Sequence, residues 1–396
     1  MKIKLSICIP TKNRYSTLKK VINSILLNVK DQNIEIIVQD NSNDNSLFLE
    51  YIANTNDHRL IYRYSSGDLT MAENVELSTI NVRGEFLVVI GDDDFIHPKI
   101  INILNQLDTQ NKDCFIYDRG VYYWPDMVFT NYSKYFKPSS LQTLKSPSFK
   151  LSKLDSVSAL CRLGEEGGFY LNELPGAYHA IVRVTIVDSI RQKFGKFVLG
   201  PSPDMAMAVA IACTIKNYYR VNFPLTIPGA SFTSAAGMGR RGEHSASLDN
   251  VPLSMPQNLK YDWTNGVPEI WNGFTLYVHT AILVAKLFNH KLLINKSKFC
   301  KKLISDNIKD KEIVQKSEYF KSLHSWQKFS SVVLAVIVFH LKFNFWHLPN
   351  IITNYIMGKK KAWRKMDVID NISTPSEAMK LLSLRYDNIL KDVERD

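Results

Sequence analysis

Residues 84–98, Gly-Glu-Phe-Leu-Val-Val-Ile-Gly-Asp-Asp-Asp-Phe-Ile-His-Pro, set the tightest limit on how this chain folds. An apolar run over 86–90 gives way, after Gly91, to the adjacent carboxylates of Asp92, Asp93 and Asp94. A run of that length reads as a strand buried on both faces. Unpaired carboxylates are too costly to follow it into a core. The acids therefore belong where the strand emerges, at its carboxyl end, the edge at which open α/β sheets bind ligands. Clustered carboxylates there suit a hard divalent cation with oxygen ligands. Pro98 suits the first turn of a following helix. The plainer alternative is an acidic turn that only ends a strand.

The residues before this stretch repeat one pattern. Strand-like runs at 5–10, 34–38 and 59–64 precede the one at 86–90. Between them lie a helical stripe with Leu18, Val21, Ile22, Ile25 and Leu26, a short helix capped by Asn45 or Ser46, and a helix over 69–80. Strands alternating with helices at this spacing predict a largely parallel sheet covered on both faces. Parallel crossovers place every strand-end loop on one edge. Thr11, Asn13, Asp40 and the cluster Asp92, Asp93 and Asp94 should therefore converge.

Composition narrows the setting. A chain of 396 residues is expected to hold two or three domains, and its formal net charge of +11 favours anionic partners. Charge alone does not choose among nucleotides, nucleic acid and an anionic membrane surface. The five cysteines are scattered without a C-x-x-C pair, which fits a reducing, cytoplasmic setting. The first ten residues lack the apolar region of a signal peptide. No stretch reaches the roughly 18 apolar residues of a spanning helix.

Three segments taken together resemble the family-two glycosyltransferases. They are Ile9-Pro10-Thr11-Lys12-Asn13-Arg14, Val38-Gln39-Asp40-Asn41-Ser42, and Gly84-Glu85-Phe86 leading through the acids to Pro98. The resemblance covers about the first 120 residues well and runs more loosely to about 235. It implies a GT-A fold, a nucleotide-sugar donor, and a D-x-D type motif holding Mn²⁺ or Mg²⁺. It places Pro10, Thr11, Asn13, Arg14, Asp40, Asn74 and Asp92 around the donor, with Asp40 accepting a hydrogen bond from the base. It assigns the metal to Asp93, five residues before Pro98, with Asp94 as a further ligand. Gly91 departs from the pattern, standing where many members carry the first acid of the motif, and Lys12 stands where an aromatic often stacks.

The second half offers fewer signals. Residues 121–137 are rich in aromatics, suited to stacking on sugar rings or to packing as a core hairpin. Asp204 follows Gly200-Pro201-Ser202-Pro203 and opens an apolar helix. It is either an N-cap or, as the resemblance implies, the carboxylate base of an inverting transferase. The glycine-rich, basic segment around Arg240, Arg241 and His244 is expected to be a mobile loop. By the resemblance it closes over the diphosphate, with His244 reaching metal or phosphate. Residues from about 262 read as helices. A run over 329–349, then Trp346, Trp363 and the basic group Lys359, Lys360, Lys361, Arg364 and Lys365, suits an anionic membrane interface as well as a core helix.

The expected architecture is α/β: a GT-A type domain over 1–235, a mobile active-site loop over 236–262, and a helical region over 263–396. Within the domain, 1–120 form the nucleotide-sugar half and 121–235 the acceptor half. The last region serves membrane association or homo-oligomerisation. The expected activity is inverting transfer of a sugar to a glycan or lipid-linked glycan, in bacterial-type surface polysaccharide synthesis. The expected place is cytoplasmic, peripheral on the inner face of the membrane, with no nucleic-acid partner. A nucleotidyltransferase and a non-catalytic glycan-binding or scaffold protein are the alternatives.

Overall fold

The computed structural model describes residues 2–108, 112–129, 132–171, 173–306, 310–344 and 366–393. In the first quarter, apolar runs form β1 (Leu5–Thr11), β2 (Ile34–Asp40), β3 (Leu60–Tyr64) and β4 (Phe86–Val89). The intervening stripes form α1 (Tyr15–Asn28), α2 (Ser46–Ala53) and α3 (Met71–Ser78). Thr70 starts α3 with a capping box, its hydroxyl accepting from the Glu73 N–H while Glu73 reaches back. Glu35, buried in mid-strand on β2, is neutralised by Arg83 at 2.6 Å and accepts from Ser6 Oγ at 2.6 Å.

The middle of the chain adds β5 (Phe95–Ile96), α4 (Ile100–Leu107), β6 (Cys114–Tyr117), β7 (Val121–Tyr123), β8 (Ser140–Leu144) and β9 (Ser148–Asp155). Then come α5 (Ser156–Glu165), β10 (Ile181–Arg183), α6 (Val184–Phe194), α7 (Pro203–Thr214) and β11 (Asn217–Asn222). The central sheet has the order β3-β2-β1-β4-β10-β6-β11-β9. β10 and β9 run against the others; the rest are parallel to one another. The carboxyl ends of β1, β2, β4 and β6 therefore share one edge, and the reversed β10 brings its amino-terminal approach, Tyr178 and His179, to that same edge.

Beyond β11 lie β12 (Thr226–Ile227), β13 (Gly229–Ala230), α8 (Ala235–Arg241), β14 (Ser245–Ser247) and β15 (Ile270–Asn272). The segment read from sequence as a mobile loop thus contains a helix and a strand. Ser234 starts α8 by accepting from the Gly237 N–H at 3.0 Å, and β14 pairs with β15. Residues Tyr122, Tyr123, Trp124 and Phe129 of the aromatic run are buried at 5% exposure or less, so these rings are core, not a sugar platform.

The helical region comprises α9 (Gly273–Leu287), α10 (Lys296–Asp306), α11 (Lys311–Lys316), α12 (Glu318–Lys321) and α13 (Ser325–Asn344). Among the described residues no helix is long and apolar enough to cross a membrane. On α13, Ser331 and Ala335 face inward while Trp326, Phe329, Leu334 and Ile337 are exposed. The basic group 359–365 and Trp346 lie outside the described residues. β16 (Met366–Asp370) and α14 (Pro375–Val393) then leave the helical region altogether. β16 pairs antiparallel with β8, and α14 buries Ala378, Met379, Leu382 and Tyr386 in the core built by β1, β2 and α1. The stretch 263–396 is therefore two units in space rather than one.

Candidate active site

The acids emerge at the end of β4 and are all enclosed: Asp92, Asp93 and Asp94 are 2%, 4% and 3% exposed. Each has a different partner. Asp92 accepts from Thr11 Oγ1 at 2.6 Å and pairs with Arg14 Nη1 at 2.5 Å. Asp93 pairs with Arg14 Nη2 at 3.0 Å and accepts from Ser231, from Oγ at 2.7 Å and from N–H at 3.0 Å. Asp94 meets His179 Nε2 at 2.8 Å and accepts the backbone N–H groups of Gly229 at 2.6 Å and Gly91 at 2.5 Å. His179 continues the chain through Nδ1 to Thr226 Oγ1 at 2.7 Å, and Thr226 to the Tyr117 hydroxyl at 3.0 Å.

Electrostatics separates the three. Burial pushes the Asp92 carboxyl up to about 7 against the pull of Arg14, and Asp93 is raised for the same reason. Burial also works against Asp94, but His179 and the backbone donors win and hold it below the usual range. Arg14 keeps its proton firmly: burial opposes the charge, and Asp92 and Asp93 more than offset it.

Two glycines explain the shape. A Cβ on Gly91 would lie 2.9 Å from Asp94 Oδ2 and 3.0 Å from the Tyr178 hydroxyl. The missing first acid of the motif thus has its space filled by Asp94 and Tyr178. At Gly229 a Cβ would come within 1.9 Å of the Asp93 carbonyl oxygen, so only glycine permits the approach.

The other expected donor residues are spread over the same edge. Asn13 adopts a left-handed φ of 56° and links two loops, its N–H donating to Ser42 Oγ at 2.7 Å and its Oδ1 accepting from Asn43 N–H at 3.0 Å. Asn74 donates from Nδ2 to the Thr11 carbonyl at 3.1 Å. Pro10 is the half-buried residue between Ile9 and Thr11 on β1. Asp40 is fully enclosed; its Oδ2 accepts from Tyr15 and Tyr62 hydroxyls at 2.7 and 2.8 Å, and its Oδ1 from Ser42 N–H at 2.8 Å. In this conformation Asp40 binds its own chain's hydroxyls.

Asp204 is not the cap of α7. Ser202 holds that position, Pro203 is the first helical residue, and Asp204 follows it, half-buried. Its Oδ1 accepts from Ser202 Oγ at 2.5 Å and Met205 N–H at 3.0 Å, and its Oδ2 accepts from the Tyr277 hydroxyl on α9. Tyr178 feels the charge of this carboxylate and of the cluster together. Its phenol is pushed well above its usual range by burial first, and then by the charges of Asp94, Asp93, Asp204 and Asp92.

Residues 6–162 match the family described as Glycosyl transferase family 2. The match covers less than half of the chain. An uncharacterized glycosyltransferase of Mycoplasma genitalium is 29% identical over 182 residues, which is 42% of this chain and 60% of that protein. The abequosyltransferase RfbV of Salmonella typhimurium is 29% identical over 118 residues, 29% of this chain and 35% of that protein. The chain therefore aligns with less than two thirds of either relative. Among solved structures, residues 1–349 of S. aureus TarS in complex with UDP-GlcNAc cover 94% of this chain and 98% of theirs, at 12% identity and a TM-score of 0.44.

Members of family 2 commonly use a divalent metal. The residues expected to hold it here do not form a cation site as arranged. Among the described residues no three His, Cys, Asp or Glu side chains are disposed around a common metal position. Asp93 is engaged by Arg14 and Ser231, Asp94 by His179, and the His244 ring packs on Trp271 with centroids 4.6 Å apart. The cluster fits a guanidinium. The two basic side chains of α8 are also committed: Arg240 lies over the Phe136 ring at 4.9 Å, and Arg241 donates to the Phe232 carbonyl at 2.8 Å and pairs with Glu243.

Sequence reading missed Ser231, Thr226 and Tyr277, and it did not single out Tyr178. No local pattern at 226–231 announces that these residues return to the acids. Nothing near Tyr277 marks it, because its partner Asp204 stands on another element.

Proposed function

We propose that the chain is an inverting glycosyltransferase that moves a sugar from a nucleotide-sugar donor to a hydroxyl of a glycan or lipid-linked glycan acceptor. The observation that carries this is the set of Asp92, Asp93 and Asp94 where β4 emerges at the carboxyl edge of a mainly parallel sheet, the edge at which such sheets bind ligands, within the stretch that matches the glycosyltransferase family. Asp204, at the second position of α7, lies where the helix dipole favours negative charge. It takes the proton of the acceptor hydroxyl as that oxygen bonds to the anomeric carbon. The bond from that carbon to the phosphate oxygen breaks on the opposite face, which inverts the configuration. Thr11 and Arg14 hold Asp92 and Asp93 in place beside the donor. A role in surface polysaccharide synthesis is supported by the likeness to the abequosyltransferase of Salmonella typhimurium. Attachment to the inner face of the membrane is supported by the exposed apolar face of α13 and the basic sequence 359–365.

The test is a screen of nucleotide sugars with the full chain. The matching donor raises the melting temperature by binding the native state, and it releases a nucleoside diphosphate when acceptor is added. A chain that is neither stabilised nor active with any nucleotide sugar is not this enzyme.

A further inference from the structure

The base carboxylate is held unequally at its two oxygens. Each carboxylate oxygen presents two lone-pair directions. Oδ1 of Asp204 fills both, with Ser202 Oγ at 2.5 Å and Met205 N–H at 3.0 Å. Among the described residues Oδ2 fills one, with the Tyr277 hydroxyl. The one lone pair left for an incoming proton is on Oδ2. The Tyr277 phenol, raised well above its usual range by burial and by Asp204, stays a donor throughout.

The donor itself is fixed. Asn272 starts α9 by accepting from the Phe274 and Thr275 N–H groups at 3.0 Å each. One turn beyond Tyr277, Thr280 Oγ1 accepts from the Ser202 N–H at 3.3 Å. Gly200 lets this helix close on the approach to α7, since a Cβ there would stand 2.8 Å from Thr280 Cγ2 and 3.4 Å from Val284. Ala281, Val284 and Ala285 are wholly buried in the core that α7 shares.

We propose that Tyr277 is a positioning residue of the catalytic centre. Its hydroxyl locks the Asp204 side chain so that the open lone pair of Oδ2 faces the acceptor, and α9 is thereby part of the active site. The proposal rests on Asp204 being the base. Tyr277→Phe keeps the ring and removes only the hydroxyl. Losing a hydrogen bond to a charged group predicts a fall in kcat of roughly 10–100-fold. The donor KM should stay as in the wild type, and kcat is read per folded molecule so that any fall in melting temperature is separated from it.

The measurement is a double-mutant cycle with Asp204→Asn in the full chain. Once the carboxylate is gone, Tyr277→Phe should cost nothing further. A Tyr277→Phe protein with wild-type kcat overturns the proposal, as does a loss of equal size in both backgrounds. A variant that is unstable yet shows the same kcat per folded molecule overturns it too. A fully active Asp204→Asn protein refutes the base assignment instead, so the two failures are distinguishable.

Discussion

The guanidinium of Arg14 stands 2.5 Å from the carboxylate of Asp92 at the floor of the site, and its other terminal nitrogen reaches Asp93 at 3.0 Å. One cation thus serves two buried acids. Arg14→Ala strands both. Breaking a buried pair by removing one partner costs about 3–5 kcal/mol. The sign of the pH dependence follows from the raised carboxyls. A group whose native value is raised stabilises fully below its unfolded value, and that contribution is lost as pH rises through the native one. Asp92, raised to about 7, therefore destabilises increasingly between about pH 4 and 7. The gap in urea stability between Arg14→Ala and wild type should be larger at pH 7.5 than at pH 5. An equal gap at both would show that the pair is not what Arg14 stabilises.

The same arrangement makes a statement about metal. With Arg14 present, Mn²⁺ titrated into nucleotide-free protein should show little binding. With Arg14→Ala, Asp92 and Asp93 lose their cation, and a divalent ion can take its place. Calorimetric titration of both proteins checks this. Tight Mn²⁺ binding by wild type that Arg14→Ala leaves unchanged would place the ion elsewhere.

His97 should be an acid-sensitive point in the core. It is wholly buried, and its Nδ1 accepts from the Lys99 N–H at 3.1 Å. Burial first, then Lys99, lowers it to about 3. A lowered histidine stays neutral in the fold while the unfolded chain takes up a proton, so stability falls as pH drops from about 6.5 towards 3. At pH 5 the loss is about 2 kcal/mol. His97→Asn keeps an acceptor for Lys99 and cannot titrate, so its stability should vary less between pH 7 and pH 5. Parallel pH profiles for the two proteins would contradict this.

Asp204→Asn separates chemistry from structure. The amide still accepts hydrogen bonds but takes no proton at neutral pH. General-base catalysis contributes roughly 10²–10⁴-fold, and kcat should fall by that range. Donor binding and melting temperature should hardly move. Near-normal turnover would send the search for a base elsewhere on this edge, where His179 already bridges Asp94 and Thr226.

The first 120 residues were legible because periodicity there is local. Each strand, helix and strand-end loop is written in consecutive residues, and parallel crossovers do the rest. That reasoning located Thr11, Asp40 and the acids on one edge. It could not foresee their partners. Asp93 accepts from Ser231, and Asp94 from Gly229, through a return of the chain that no pattern near residue 93 announces. The aromatic run was ambiguous because stacking on sugar and packing in a core ask for the same side chains. Asp204 read as a base by the resemblance or as a cap by its place before an apolar helix, and the structure gives the cap position to Ser202.

The return of β16 and α14 has a consequence for how the protein is made. Residues 366–370 supply the outer partner of β8, and Tyr386 donates to the Leu144 carbonyl at 3.0 Å in a core begun by residues 5–38. A ribosome delivers these pieces far apart in time. The amino-terminal half must wait, with an apolar flank uncovered, until residues 366–393 have been synthesised. Pairings so distant in sequence are slow and leave early species prone to aggregation. Nascent chains stalled before residue 366 should therefore depend on chaperones, and shortened products should be cleared rather than accumulate as active fragments.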